Sequence, residues 1–324
     1  MKLYSKISLC LLASLTSATV QAQVVETPDS MVGALHSAFG EHHARAVHAK
    51  GIIFEGTFQA SPEARTLSKA PIFSGVTMPV VVRFSDFTGI PDIPDNIGDA
   101  NPRGFAVKIK MKGGAATDIV THSFNGFPVA TSDEFAVFLR AIGGSGPDVP
   151  HPNPIEQFLE THPIAKSFVT SQKPPPVSYA TTAYFGVNAF KFTDAQGKSV
   201  FVRYRFVPRA GEHYLTPDAV AGAGANYLQP EITARVAKAP VSFDWYAQIS
   251  ETGDVIDNPS IAWPESRRLV RLGTITIASK SADIAAADVQ TVFEPGNVPS
   301  GIEIADPMLA MRHAAYPISF KARQ

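Results

Sequence analysis

The chain has 324 residues, and 28 Lys and Arg stand against 29 Asp and Glu for a formal net charge of −1. With no block of basic residues, that balance excludes an electrostatic grip on nucleic acid or on an anionic membrane surface. The single cysteine, Cys10, excludes a disulfide framework and a cysteine-built metal centre.

Residues 1–22 read as a secretory signal peptide. Lys2 and Lys6 give a basic start, Ile7 to Leu15 an apolar stretch, and Val20-Gln21-Ala22 a small-x-small cleavage site. The apolar stretch falls short of the ~20 residues a membrane-spanning helix needs. Cys10 lies inside it, so the expected mature chain starts at Gln23, carries a net charge of −3 and has no cysteine. About 300 residues remain, enough for a sizeable core. No further long apolar segment occurs, so the expected product is exported and soluble.

Along the mature chain, Asp29 or Ser30 is placed to cap a helix carrying Val32, Leu35 and Phe39 on one face. Strand-like runs follow over 51–58, 78–87, 103–112 and 118–123. Thr131 with Glu134 predicts a capping box opening a helix whose apolar face is Phe135, Phe138, Leu139 and Ile142. Pro154 suits the first turn of another helix. After Pro174 to Pro176, strands are predicted over 179–193, 198–207, 241–250 and 268–278, with Asp194 to Gly197 as a hairpin turn. Eight or so strands with helices between and after them predict an α+β fold: one domain, 23–324, built on a closed antiparallel barrel with helical insertions.

One run has an odd pattern. Alternate side chains of a strand face opposite ways, which sends Val80, Val82 and Phe84 to one side and Val81, Arg83 and Ser85 to the other. Either this is an edge strand with a wet face, or Arg83 and Ser85 line a cavity for an anionic ligand, since a buried charge needs a partner. A second pattern closes the chain: Arg312 and Tyr316, four apart, share a face of a short predicted helix. A guanidinium beside a phenol favours the phenolate. Other polar features carry less. His42, His43 and His48 match no zinc spacing, and Gly222-Ala223-Gly224 is no dinucleotide fingerprint. There is no G-x-S-x-G nucleophile, and Trp245 and Trp263 read as core.

Several segments, in order, resemble the signature blocks of the monofunctional haem catalases. They are Arg45-Ala46-Val47-His48-Ala49-Lys50-Gly51, Val82-Arg83-Phe84-Ser85, Asn101 to Lys108, Asn297 to Glu303 and Arg312-His313-Ala314-Ala315-Tyr316-Pro317. The resemblance implies haem b as cofactor, with Tyr316 as the axial ligand of the haem iron on a C-terminal helix and Arg312 stabilising its phenolate. It implies that His48 is the distal catalytic histidine, Ser85 its hydrogen-bonding partner and Val47 the apolar residue beside it. Arg45, Arg83 and Arg323 correspond to the partners of the haem propionates. By the same resemblance, His48 moves a proton during cleavage of a peroxide O–O bond to a ferryl intermediate. Peroxide and a small organic electron donor are then the expected partners; an oligomer is open.

The departures bear on the expected activity. Where the family has a distal asparagine, Asp118-Ile119-Val120 is followed by Thr121-His122-Ser123, and Asn125 comes only later. Either His122 or Asn125 takes that place. Asn101 stands where the family's substrate channel has an aspartate. The chain also ends just past Arg323, without the parts that support a tetramer and a nicotinamide site in a standard catalase. These features resemble the small exported catalase-related peroxidases and imply a periplasmic address. A peroxidase is therefore the expected activity, with catalase dismutation and a non-catalytic haem carrier as the alternatives.

Overall fold

The computed structural model describes residues 25–324; the expected signal peptide lies outside the described residues. Eight antiparallel strands close a barrel: β1 (Gly51–Ala60), β2 (Met78–Ser85), β3 (Gly104–Lys110), β4 (Ala116–His122), β5 (Tyr184–Thr193), β6 (Ser199–Pro208), β7 (Val241–Ile249) and β8 (Leu269–Lys280). Neighbours run β4-β3-β2-β1-β8-β7-β6-β5, and β4 meets β5 through the pair His122 and Phe185 to close the circle. A short strand, β9 (Ile302–Ile304), adds to the free side of β5.

The barrel interior is filled by aromatic side chains. Phe54, Phe84, Phe105, Phe206, Phe243 and Trp245 are buried there, with Phe206 stacked on Trp245 at 5.7 Å between centroids. Each such side chain contributes roughly 1.5–3 kcal/mol by leaving water. Val80, Val82 and Phe84 of β2 belong to this interior. Arg83 and Ser85 therefore point outwards from the barrel, yet they are only 3% and 4% exposed. The edge-strand reading fails, because β2 is flanked by β1 and β3.

What covers that outer face is helical. Helices α1 (Pro28–Phe39), α2 (Ser132–Gly143), α3 (Pro154–Thr161) and α4 (Pro163–Thr170) precede the second half of the barrel. Next come α5 (Pro217–Gly222) and α6 (Leu228–Lys238), and then α7 (Ile284–Gln290) and α8 (Pro307–Ala322). Met31, Val32, Leu35 and Phe39 of α1 pack with Ala136 and Leu139 of α2 and Ala315 of α8. The helix bearing Arg312 and Tyr316 is thus not short; it runs 16 residues.

Several predicted ends shift. The cap of α1 is Thr27, whose hydroxyl accepts the Ser30 N–H at 3.1 Å while the Ser30 hydroxyl accepts the Thr27 N–H at 2.8 Å. Thr131 caps α2 as predicted, but the Glu134 carboxylate reaches the Ala130 N–H, one residue before the cap. Tyr179 to Thr181 form a 3-10 turn capped by the Ser178 hydroxyl, so β5 begins only at Tyr184. Among the described residues, no helix is long and apolar enough to cross a membrane.

Candidate active site

A slot of about 1400 Å³, its open mouth included, lies between the outer face of β2–β4 and helices α1 and α8. Its lining includes every expected site residue: Arg45, Val47, His48, Arg83, Ser85, Arg312, Tyr316 and Arg323. Apolar side chains supply most of the remaining wall, among them Met31, Phe87, Phe293, Met308 and Met311.

His48 sits just before β1 with φ 57°, in the left-handed region. For a non-glycine residue that conformation costs roughly 1–3 kcal/mol and needs surrounding structure to hold it. Arg83 provides the hold: its two terminal nitrogens donate to the carbonyls of His48 at 2.8 Å and Ala49 at 2.9 Å. The imidazole Nδ1 lies 2.9 Å from the Asp86 carbonyl. A carbonyl only accepts, so Nδ1 carries the proton and Nε2 is left with a lone pair. The Ser85 hydroxyl is 3.2 Å from the same Nδ1, so it shares this role with the Asp86 backbone. Burial, with the Arg83 cation nearby, pushes the His48 pKa down to about 3 and keeps the ring neutral.

Behind the Asp86 carbonyl stands a buried polar network. Arg103 donates to the Asp86 carboxylate, the Tyr179 hydroxyl donates to it at 2.7 Å, and Lys50 pairs with Asp95 beside them. Buried charges are tolerated only when paired in this way. The chain segment that orients His48 is therefore pinned from beneath.

Register explains the floor of the slot. Ser85 on β2 pairs with Gly104 on β3, and Gly104 pairs with His122 on β4. Side chains in such a row share a face, and the missing side chain of Gly104 leaves room for the His48 ring. A Cβ built there would stand 2.8 Å from His48 Nδ1. Of the two residues left open, His122 lines the slot, whereas Asn125 lines a separate surface hollow with Phe124 and Ser260. Asn101 does not reach the slot and donates instead to the Lys173 carbonyl at 3.0 Å.

Across the slot, on α8, Arg312 donates to the Tyr316 hydroxyl at 3.4 Å. Its other terminal nitrogen donates to Asn188 Oδ1 at 2.5 Å, and Asn188 Nδ2 donates to the Asp306 carboxylate at 2.7 Å. The second Asp306 oxygen accepts the Met308 N–H at 2.9 Å and caps α8. Asn188 sits where the β5–β6 register shifts, between Gly186 and Phe190; such irregularities re-aim side chains. This chain of bonds fixes the guanidinium beside the phenol.

A family model for catalase matches residues 38–324. The chain belongs to the catalase family. It is 36% identical over 323 residues to a catalase-related peroxidase of Synechococcus elongatus, covering 97% of this chain and 94% of the relative. It is also 36% identical to a catalase-related peroxidase of Mycolicibacterium paratuberculosis, covering 92% and 95%. A Bacillus subtilis catalase-2 is 29% identical, with 84% of this chain matching 42% of that protein. Among solved structures, a bacterial catalase superposes with a TM-score of 0.77 at 24% identity, over 86% of this chain and 57% of that one. The catalase barrel predicted from the sequence is the fold observed.

The family implies haem, and the slot can be tested for it on its own groups. Arg45, Arg83 and Arg323 converge at one end of the slot, and Asp288 of α7 sits among them, 3.2 Å from Arg45 and 2.5 Å from Arg83. Three guanidiniums against one carboxylate leave positive charge over. Burial and the neighbouring Arg83 pull the Arg45 pKa down to about 9, which marks a cluster short of anions. Among the described residues, the Nε atoms of Arg45 and Arg323 are buried without a hydrogen-bond partner, as is Nε2 of His122. Excess cations at one end, apolar walls and a phenol on α8 fit a flat apolar group bearing carboxylates. Arg83 already donates to the His48 and Ala49 carbonyls and to Asp288. Arg45 and Arg323 are the freer of the three. Asp86, Arg103, Asn188 and Asp306 escaped the sequence reading. Only the Asp306-Pro307 step carried a readable signal, as a helix start.

Proposed function

We propose that this chain is an exported, periplasmic haem b peroxidase that reduces hydrogen peroxide or organic peroxides with a small organic electron donor. The observation that carries the reading is His48: a buried neutral imidazole with Nδ1 committed to the Asp86 carbonyl and Nε2 free in the slot it shares with Arg312 and Tyr316. The two relatives named catalase-related peroxidase support the same reading.

Haem, when bound, supplies the redox chemistry that cleaves the peroxide O–O bond. Tyr316 would hold it through the phenol oxygen, with Arg312 keeping a positive charge beside that oxygen. Arg45 and Arg323 would take its carboxylates in charge-assisted hydrogen bonds. His48 Nε2 accepts a proton from one peroxide oxygen and returns it to the departing one, general acid–base work worth ~10²–10⁴-fold. Asp86 and Ser85 fix the ring so that the lone pair stays aimed into the slot. A mere haem carrier has no use for that fixed base.

The test is His48→Ala in haem-replete protein. Haem absorbance should persist while peroxide consumption falls at least a hundredfold; unchanged turnover would sink the role of His48. A dissolved-oxygen trace after adding hydrogen peroxide without a donor separates the two enzymatic readings, because rapid oxygen release means catalase dismutation.

A further inference from the structure

Asp288 is the carboxylate set among the three arginines, and the proposed chemistry has no use for it. It lies on α7, a helix of seven residues with no buried side chain. Ala287 packs against the small cluster of Ile53, Val81 and Phe293, while Val289 is left 46% exposed. A helix this short is not held by propensity or by so little apolar contact; polar contacts hold it, and the arginines make most of them. One terminal nitrogen of Arg45 donates to the Asp288 carbonyl at 2.8 Å, the Thr291 carbonyl at 2.9 Å and the Asp288 carboxylate at 3.2 Å. Arg83 Nε donates to the same carboxylate oxygen at 2.5 Å, and Arg323 donates to the Thr291 carbonyl at 2.8 Å. Gln324 Nε2 adds a bond to the Val289 carbonyl at 3.1 Å. Burial alone would raise the Asp288 pKa, but Arg83 and Arg45 hold it below the ordinary carboxylate value, so the group is charged near neutrality.

We propose that Asp288 is a resident competitor for the haem carboxylates and that α7 is a latch: haem enters by taking Arg83 and Arg45 from Asp288, which frees the helix. The inference rests on the proposed haem-peroxidase reading. A guanidinium meets a carboxylate best through two parallel N–H donors. All three nitrogens of Arg83 already donate, Nε to Asp288 and the terminal pair to the His48 and Ala49 carbonyls. The terminal pair holds the backbone of the proposed base, so the bond that Arg83 can exchange is the one to Asp288. Exchange of one carboxylate for another leaves no buried cation unpaired, which is the costly outcome. What it does cost is the hold on α7, a segment with few buried contacts and therefore of low local stability. Before haem arrives, Asp288 offsets the mutual repulsion of three neighbouring guanidiniums.

The test reads binding rather than turnover. In the haem-free protein, Asp288→Asn should lower the midpoint of thermal unfolding by a few degrees. The same variant should nevertheless bind haem about tenfold more tightly, the order expected when one charge-assisted hydrogen bond is freed from competition. Titration followed by haem absorbance measures the affinity. The gain should vanish with haem dimethyl ester, which carries no carboxylate to compete. A carboxylate that merely arranged the arginines would give the opposite sign, with weaker haem binding in the variant. If the variant does not fold, hydrogen exchange of the wild-type protein carries the test. Haem should slow exchange across β2 and α8 but speed it at residues 284–291, whereas the dimethyl ester should not speed it there. Unchanged or weaker haem binding in Asp288→Asn, an equal gain with the diester, or exchange at 284–291 that haem leaves unmoved or slows, overturns the latch while haem uptake keeps the peroxidase reading alive. Failure of the wild-type protein to take up haem overturns both.

Discussion

Alanine at Gly104 should dislodge His48 without touching any residue that would hold haem. The added Cβ would stand 2.3 Å from Ser85 Oγ and 2.8 Å from His48 Nδ1. The serine can rotate away, but the imidazole cannot yield without stretching its 2.9 Å bond to the Asp86 carbonyl. Losing that neutral hydrogen bond costs about 1 kcal/mol, and overfilling a packed site typically costs about 1–3 kcal/mol. Together they should lower the midpoint of thermal unfolding by several degrees. The larger effect should be kinetic. With Nε2 turned off line, much of the ~10²–10⁴-fold acid–base contribution goes. Peroxide decay followed by stopped flow should therefore slow at least tenfold in Gly104→Ala, with the haem spectrum retained. Wild-type peroxide kinetics in a variant that has lost stability would refute the reasoning, since the clash would then fall on something other than the base.

Three further outcomes follow from the same geometry. Asn188→Leu leaves Arg312 and the buried Asp306 oxygen without their link; stability to urea should drop by about 1–3 kcal/mol, and the haem absorbance should change as the guanidinium leaves the phenol. Arg323→Met removes a cation with a free Nε and should speed haem release about tenfold, read from the decay of haem absorbance into an acceptor protein. The third concerns acid. His48 and His122 are both held near a pKa of about 3 by burial, well under the ordinary 6.5. Between those values the unfolded chain binds more protons, so stability must rise with pH there and level off above neutrality. Melting of the haem-free protein between pH 4 and 7 should show this slope, reduced in the double variant His48→Gln/His122→Gln. Equal slopes would mean that the two rings are not buried neutral.

The outward pair Arg83 and Ser85 was readable because strand alternation is local: two polar residues among valines announce a face that meets something. Arg312 and Tyr316 were readable for the same reason on a helix. What escaped depends on contacts across the chain. Asn188 and Asp306 meet over a separation of 118 residues, and nothing near Asn188 signals the register shift that aims it. The grip on His48 comes mostly from a backbone carbonyl, which every residue has and no sequence pattern marks. Helix α6 has an apolar face of Leu228, Ile232 and Val236, but a polar remainder and Pro230 hid it. The choice between His122 and Asn125 turned on where β4 stops. It stops at His122, so His122 keeps the strand's alternation and faces the slot, while Asn125 falls on the loop beyond.

The lining of the slot also sets how such a protein would wear out. Residues 25–324 contain no cysteine, so the described chain offers oxidants no thiol to convert to sulfenic or sulfonic acid. Thioethers take that place: of the six methionines in the sequence, Met31, Met308 and Met311 line the slot. Conversion to sulfoxide would make each a bulky polar group on an apolar wall. Damage from escaped oxidant would therefore begin on α1 and α8, the two helices that form the lid over the barrel face, and would loosen the grip on the prosthetic group before it reached the aromatic interior.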